Sequence, residues 1–272
     1  LNELESELLV MKLLGNHPNI ITIYGYITDG SKGVQIVMEM APYGSLWELL
    51  KNKSRYPDIP FRLSLAWMHD IISAVDRLHS CKVKHRDIKA ENVLVFHQFK
   101  VKLCDFGLAK EHHSYRTSST ALVGTLGFTA PEILIGQSST LASDIFSWAM
   151  TAVQVCTRSP PRQGDVSAQV AHAAHQGNAY ANTETSFHSL LEDCVQFDAT
   201  NECSPEALRP SAMQVSRRLR KIIEGCGGDI RLDSTPASKQ QMFQLTAAAE
   251  GMNGVTASQI TNISNNVASK GT

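Results

Sequence analysis

Apolar residues at Leu4, Leu8, Met11 and Leu14 keep the three-to-four spacing of a helix face, and Gly15-Asn16 with His17-Pro18 ends that segment. Two runs of strand-like composition follow, at 20–27 and 34–40, separated by the turn-forming stretch Asp29-Gly30-Ser31-Lys32-Gly33. After Tyr43-Gly44 the period becomes helical. Leu65, Met68, Ile72 and Val75 share one face, which Ile71 and Leu78 widen. Short strand signals return at 93–96 and 100–103. From about 140 onward the strong signals are helical, with one row at Phe187, Leu190, Leu191, Cys194 and Val195 and another at Ala212, Val215, Leu219 and Ile222. Gly225 and Gly227-Gly228 close the last row. Strands in front and helices behind predict an α+β chain of two unequal lobes. Residues 225–272 are rich in Ser, Thr, Asn, Gln, Ala and Gly, which predicts a mostly disordered tail with at most a weak helix over 239–250.

Composition narrows this picture. The 272 residues are 43% hydrophobic and 19% charged, enough for a sizeable core. A formal net charge of −1 gives no electrostatic reason for a nucleic-acid or membrane-surface partner. No apolar run approaches the roughly 18 residues of a membrane span. The six cysteines form no CxxC pair and no dense framework, which fits reduced thiols and a cytoplasmic location. His172 and His175 share a helical spacing with no carboxylate or thiol at ligand distance in sequence, so a solvated helix face is expected there.

Three motifs carry chemistry: His85-Arg86-Asp87-Ile88-Lys89-Ala90-Glu91-Asn92, then Asp105-Phe106-Gly107, then Ala130-Pro131-Glu132. Any one tripeptide is weak. Their order and intervals together resemble the eukaryotic protein kinases over residues 1–224. The resemblance implies a two-lobe kinase fold, with a truncated small β lobe and a mainly helical large lobe, using ATP and Mg2+. It makes Asp87 the catalytic aspartate that takes the acceptor proton, and Lys89 the cation that meets the transferred phosphate. Asn92 and Asp105 become the magnesium ligands. Lysine two residues after Asp87, and Gly124-Thr125 with Thr125 bonding Asp87 and Lys89, imply serine/threonine acceptors on protein substrates. The run from Gly124 to Glu132 resembles the tyrosine-kinase-like group of serine/threonine kinases.

The same resemblance assigns supporting roles. Glu7 matches the regulatory-helix glutamate, Met38 the gatekeeper, and Glu39, Met40 and Ala41 the hinge that reads adenine. Leu94 is the floor beneath adenine, Asp144 a brace behind the catalytic loop, and Glu132 with Arg209 a buried ion pair. Met11, His85 and Phe106 belong to a stacked apolar spine. Arg86 implies control by a phosphate on the loop between Asp105 and Glu132, placed by an upstream kinase, with Ser119 and Thr120 the leading acceptors. The chain departs from the family at its front. No GxGxxG loop and no VAIK-type lysine precede Glu7, so two of five front strands and exposed sheet edges are expected. Three readings follow: an active kinase whose phosphate-binding front lies outside these residues, a non-catalytic scaffold of kinase shape, or a site completed in trans by another protein. The intact Asp87, Asn92 and Asp105 favour the first, with the 272 residues inactive by themselves.

Overall fold

The computed structural model describes residues 10–29, 33–111, 125–180, 182–200, 202–233 and 235–250. Glu7, Ser119 and Thr120 lie outside these residues. The fold mixes helix and sheet, with a small sheet-bearing front lobe and a mainly helical large lobe. In the front lobe, residues 10–14 are helical and pack Val10 and Leu14 inward. Antiparallel β1 (Ile23–Asp29) and β2 (Gly33–Met38) then form a two-stranded sheet. The first strand begins later than its composition suggests. Ile20 bridges to Leu103, and Ile21 N–H donates to Leu103 O, so both residues join the lobes before the ladder starts. Tyr24 and Tyr26 are 70% and 59% exposed on this sheet, which leaves its apolar surface largely uncovered among the described residues.

The large lobe is organised around two helices, α2 (Phe61–Ser80) and α4 (Leu141–Thr157), with α1 (Leu46–Lys51) before them and the short α3 (Pro131–Leu134) between. A Ser45–Glu48 capping box starts α1. The face of α2 read from sequence is buried, and so are Leu63, Trp67 and Ala74 on its other sides. An all-round buried helix sits at the middle of a core. Its polar atoms are paired accordingly: Trp67 Nε1 donates to Phe99 O at 2.8 Å, and Trp148 Nε1 of α4 donates to Met68 O at 3.0 Å. Behind these lie α5 (Val166–His175), α6 (Thr183–Cys194), α7 (Pro205–Leu208) and α8 (Ala212–Gly225); α6 and α8 bury the apolar rows that predict them, whereas the short α7 buries no side chain. Between α2 and α4 run four short strands. Antiparallel β4 (Val93–Val95) and β5 (Val101–Leu103) form a hairpin, and β3 (Val83–Lys84) pairs with β6 (Lys110–Glu111).

Residues 226–250 depart from the expectation of little order. A helix, α9 (Pro236–Ala249), starts at a Thr235 cap and buries Leu245 and Ala247. Three arginines of the large lobe and the tail hold the segment. Arg62 donates to Gly227 O and Gly228 O and pairs with Asp233 at 2.9 Å, Arg231 pairs with Asp70 at 2.6 Å, and Arg55 donates to Ala248 O and Ala249 O. These are polar ties between distant residues, which a composition reading cannot register. Among the described residues no helix is long and apolar enough to cross a membrane, and none of the six cysteines is in a disulfide.

Glu132 and Arg209 form a bidentate pair at 2.7 and 2.8 Å, with both side chains almost completely buried. Removing one partner strands a buried charge. Arg209→Met is expected to cost about 3–5 kcal/mol by urea unfolding. Glu132→Gln/Arg209→Met should recover much of that loss, because neither remaining group is charged.

Candidate active site

The catalytic loop is fixed from behind by one buried carboxylate. Asp144 lies in the first turn of α4 and is almost fully buried. Its Oδ2 accepts from His85 N–H at 2.9 Å and from His79 Nε2 at 3.0 Å, and its Oδ1 accepts from Arg86 N–H at 2.9 Å. Burial opposes ionisation, but the His79 bond, its charge and the two amides prevail and hold the carboxyl below its ordinary pKa. Arg86 itself sits at φ 72°, a left-handed conformation costly for a branched-free but bulky residue. The two amide bonds to Asp144 before that kink, and the Asp87 N–H bond to His85 Nδ1 after it, hold it in place.

Other polar residues of α4 continue the same work at helical spacing. Ser143 Oγ donates to Glu132 at 2.9 Å, and Ser147 Oγ donates to Phe128 O at 2.8 Å. Thr151 Oγ1 donates to Ile88 O at 3.2 Å, and Gln154 Oε1 accepts from Ala90 N–H at 3.0 Å. Motif reading identified Asp144 alone. The signal for the others was present: polar residues at 143, 144, 147, 151 and 154 in an otherwise apolar helix mark a face that must meet polar partners.

On this base the acceptor side assembles. Lys89 Nζ lies 2.6 Å from Asp87 Oδ2 and donates to Thr125 Oγ1 at 2.7 Å, while Thr125 Oγ1 reaches Asp87 Oδ1 at 3.3 Å. Asn92 Nδ2 donates to Asp87 O at 2.8 Å and to Asp87 Oδ2 at 2.9 Å. The next turn of the substrate-side loop, Leu126–Phe128, needs glycine at its centre. A Cβ on Gly127 would stand 2.5 Å from Pro161 O.

His85 is fully buried, and burial holds its imidazole below the ordinary pKa. Its Nδ1 accepts from Asp87 N–H at 3.3 Å and its Nε2 faces Cys104 O at 3.1 Å, an arrangement that requires a neutral ring protonated at Nε2. The ring meets Phe106 edge-on at 5.2 Å, and Met11 packs against the same core. The side chain of Phe106 is thus turned inward while Asp105, at φ 63°, is exposed.

Asn92 and Asp105 flank the open end of the β4–β5 hairpin, where Cys104 N–H donates to Asn92 O at 2.9 Å. A carboxylate and an amide carbonyl are hard oxygen donors of the kind magnesium takes. The Asn92 amide nitrogen is committed to Asp87, so its oxygen is the end left for a cation. On the adenine side, Glu39 follows β2 and accepts from Thr22 N–H at 2.7 Å and from Lys102 Nζ at 2.6 Å. Burial resists this ionisation, but the Lys102 bond outweighs it and lowers the carboxyl's pKa. Met38 and Met40 are exposed, and half-buried Leu94 bridges to Ser45 just past the hinge. The Arg86 guanidinium is half-buried and makes no hydrogen bond or ion pair among the described residues; only its backbone N–H is bonded.

Sequence comparison gives the family in which this arrangement occurs. A family model described as protein kinase domain matches residues 2–226, and the chain belongs to that family. Relatives are named as serine/threonine kinases. "Probable serine/threonine-protein kinase drkC" of Dictyostelium discoideum is 34% identical over 231 residues, covering 82% of this chain and 29% of that protein. "Serine/threonine-protein kinase CTR1" of Arabidopsis thaliana is 30% identical over 229 residues, covering 82% and 27%. The chain therefore spans under a third of these relatives' length. By family it is a protein serine/threonine kinase.

Both Asp144 and Glu132 have folded-state pKa values below their unfolded ones. Each therefore stabilises the fold fully above its unfolded value, near 4, and loses that contribution as pH falls through the folded value. Asp144→Asn, which gives up the charge and one acceptor, is expected to cost about 2–3 kcal/mol at neutral pH. It should also flatten the decline in stability below about pH 4, measured by urea unfolding at a series of pH values. An unchanged acid limb would show that Asp144 does not carry this dependence.

Proposed function

We propose that these residues transfer the γ-phosphate of ATP to serine or threonine hydroxyls of protein substrates when a phosphate clamp is supplied in front of them. The carrying observation is the Asp87–Lys89–Thr125 cluster, in which a carboxylate and an ammonium converge on a threonine of the substrate-side loop. An acceptor hydroxyl beside Asp87 is oriented by its carboxylate and gives up its proton there as its oxygen bonds the γ-phosphorus and the bond from that phosphorus to the β,γ-bridging oxygen breaks, releasing ADP. Lys89 offsets the charge gathering on the transferred group. Magnesium, when bound, neutralises the phosphate oxygens, and Asn92 and Asp105 are the residues that would hold it. Adenine would lie between Leu94 and the hinge. The Glu39 N–H is already given to Thr22 O, so the rest of the hinge backbone, around Met40 and Ala41, is left to read the base, beside Met38 as gatekeeper. Glu7 would pair with the lysine of the clamp. The sequence from Gly124 to Glu132 supports placement in the tyrosine-kinase-like group.

The 272 residues contain no glycine-rich loop and no clamp lysine ahead of Glu7, so by themselves they should bind ATP weakly and turn over negligibly. Calorimetry giving a sub-micromolar Kd for ATP would contradict this. In a chimera carrying a glycine-rich loop and lysine strand before Glu7, Mg2+-dependent labelling of Ser/Thr peptides is expected. Asp87→Asn there should lower kcat by roughly 10²–10⁴-fold with ATP affinity nearly unchanged, because Asp87 acts on the acceptor side. ATP binding without transfer would favour the scaffold reading, and labelling of tyrosine alone would overturn the acceptor class.

The unpaired Arg86 guanidinium supports regulation by an upstream kinase acting on Ser119 or Thr120, with the phosphate taken by Arg86. In the same chimera, replacing Thr117, Ser118, Ser119 and Thr120 together by Ala should abolish activation by phosphorylation. Arg86→Ala should blunt the gain and spare the basal rate. Equal turnover of the phosphorylated parent and the four-alanine variant would eliminate the switch.

A further inference from the structure

The β4–β5 hairpin carries both candidate magnesium ligands at its open end, Asn92 just before β4 and Asp105 two residues after β5. Its closed end is strained. Gln98 and Phe99 stand at φ 58° and 52°, a region ordinary side chains seldom occupy. Something must hold that turn, and three side chains from α2 and the tail converge on two of its backbone atoms. Trp67 Nε1 donates to Phe99 O at 2.8 Å, Arg231 Nη1 donates to the same oxygen at 3.3 Å, and Asp70 Oδ2 accepts from Val101 N–H at 3.3 Å. Asp70 and Arg231 are themselves joined, Nη1 to Oδ2 at 2.6 Å and Nη2 to Oδ1 at 3.2 Å. Asp229 completes the guanidinium's partners, at 3.0 Å from Nε and 2.7 Å from Nη2. The side chains of Arg231 and Asp70 are 9% and 12% exposed.

Trp67 and Asp70 lie on α2, inside the region matched by the kinase family model. Arg231 lies beyond its end at residue 226. It is delivered there by a built feature. The Gly227-Gly228 turn has both residues at positive φ, and its carbonyls are clamped by Arg62. We propose that Arg231, supplied by the segment following the kinase domain, is a positioning residue that sets the β4–β5 hairpin and through it the placement of Asn92 and Asp105. What those two residues bind rests on the kinase reading above; that Arg231 fixes the hairpin does not.

The test is amide hydrogen exchange on the 272-residue chain, read at Val101 at the closed end and at Cys104, whose N–H bonds Asn92 O at the open end. Arg231→Met should speed exchange at both amides by about tenfold or more under native conditions. Arg231→Lys should restore part of the protection. Leu245→Ala, a core truncation on α9 that removes none of the polar ties to the hairpin turn, should leave both amides as they were. Asp70→Asn/Arg231→Met removes both charges and keeps an acceptor for Val101. It should recover urea stability while Cys104 stays fast, and it is the variant to read if Arg231→Met does not fold. Protection at Cys104 restored in that double variant would reduce Arg231 to charge compensation and overturn the proposal, as would acceleration confined to Val101 or equal at every amide. A kinase chimera that fails to transfer phosphate would bear on the proposed function and leave this result standing.

Discussion

Five hydrogen-bonding side chains gathered on one face of α4 decide where the loops of this large lobe go, and of these Asp144 has the most depending on it. A carboxylate with almost no exposure is tolerable only when its lone pairs are taken, and here they are taken by His79 and by two consecutive backbone amides of the catalytic loop. The exchange is mutual. The loop passes through a left-handed residue at Arg86, a conformation that costs free energy and persists only where the surroundings over-determine it. Ser147, Thr151 and Gln154 extend the same support to Phe128, Ile88 and Ala90, so the substrate-side loop and the catalytic loop are referenced to one rigid helix. The convergence of Asp87, Lys89 and Thr125 is built on that base, with local bonds from Asp87 N–H to His85 Nδ1 and from Asn92 Nδ2 to Asp87 added to it.

That support is unequal across the molecule. The acceptor side stands on a buried, all-round packed core, with Trp67, Trp148 and Phe106 almost wholly enclosed. The proposed adenine side rests on two strands whose exposed side chains include Tyr24, Tyr26 and Met38, tied to the large lobe by the Glu39–Lys102 pair. Burial scales with the number of layers an element can lean on, and a lone hairpin has few. The proton removal proposed for Asp87 would need close placement, and Asp87 lies on the part of the fold that can provide it.

Much of this was legible beforehand, and the reason is specific. The three motifs are short, ordered and residue-exact, and the helices of the large lobe announce themselves by apolar rows such as Phe187, Leu190, Leu191 and Cys194, which are buried as their spacing requires. What was not legible depends on pairings between residues far apart in sequence. Asp70 on α2 and Arg231 in a polar tail carry no local pattern linking them. Nor does composition show that Arg62 will close on two glycine carbonyls some 165 residues away. The polar residues of α4 are the intermediate case. Their spacing was visible, but a polar stripe on a helix is ordinarily read as solvent-facing, and only the apolar character of every other face argues that this one is buried.

The position of Arg86 links the rigid base to regulation. Its amide is fixed by Asp144 while its guanidinium is half-buried and unpaired among the described residues, so backbone and side chain answer to different constraints. A phosphate arriving at that guanidinium would meet a loop whose backbone is already set. It would have no need to refold the catalytic loop, and its effect would fall on the charge of a partly desolvated cation and on the order of the segment bearing the phosphate. Such a device separates two properties that a single contact would couple. The placement of Asp87 is set by α4, so under the proposed regulation a phosphate would change access to a site already built.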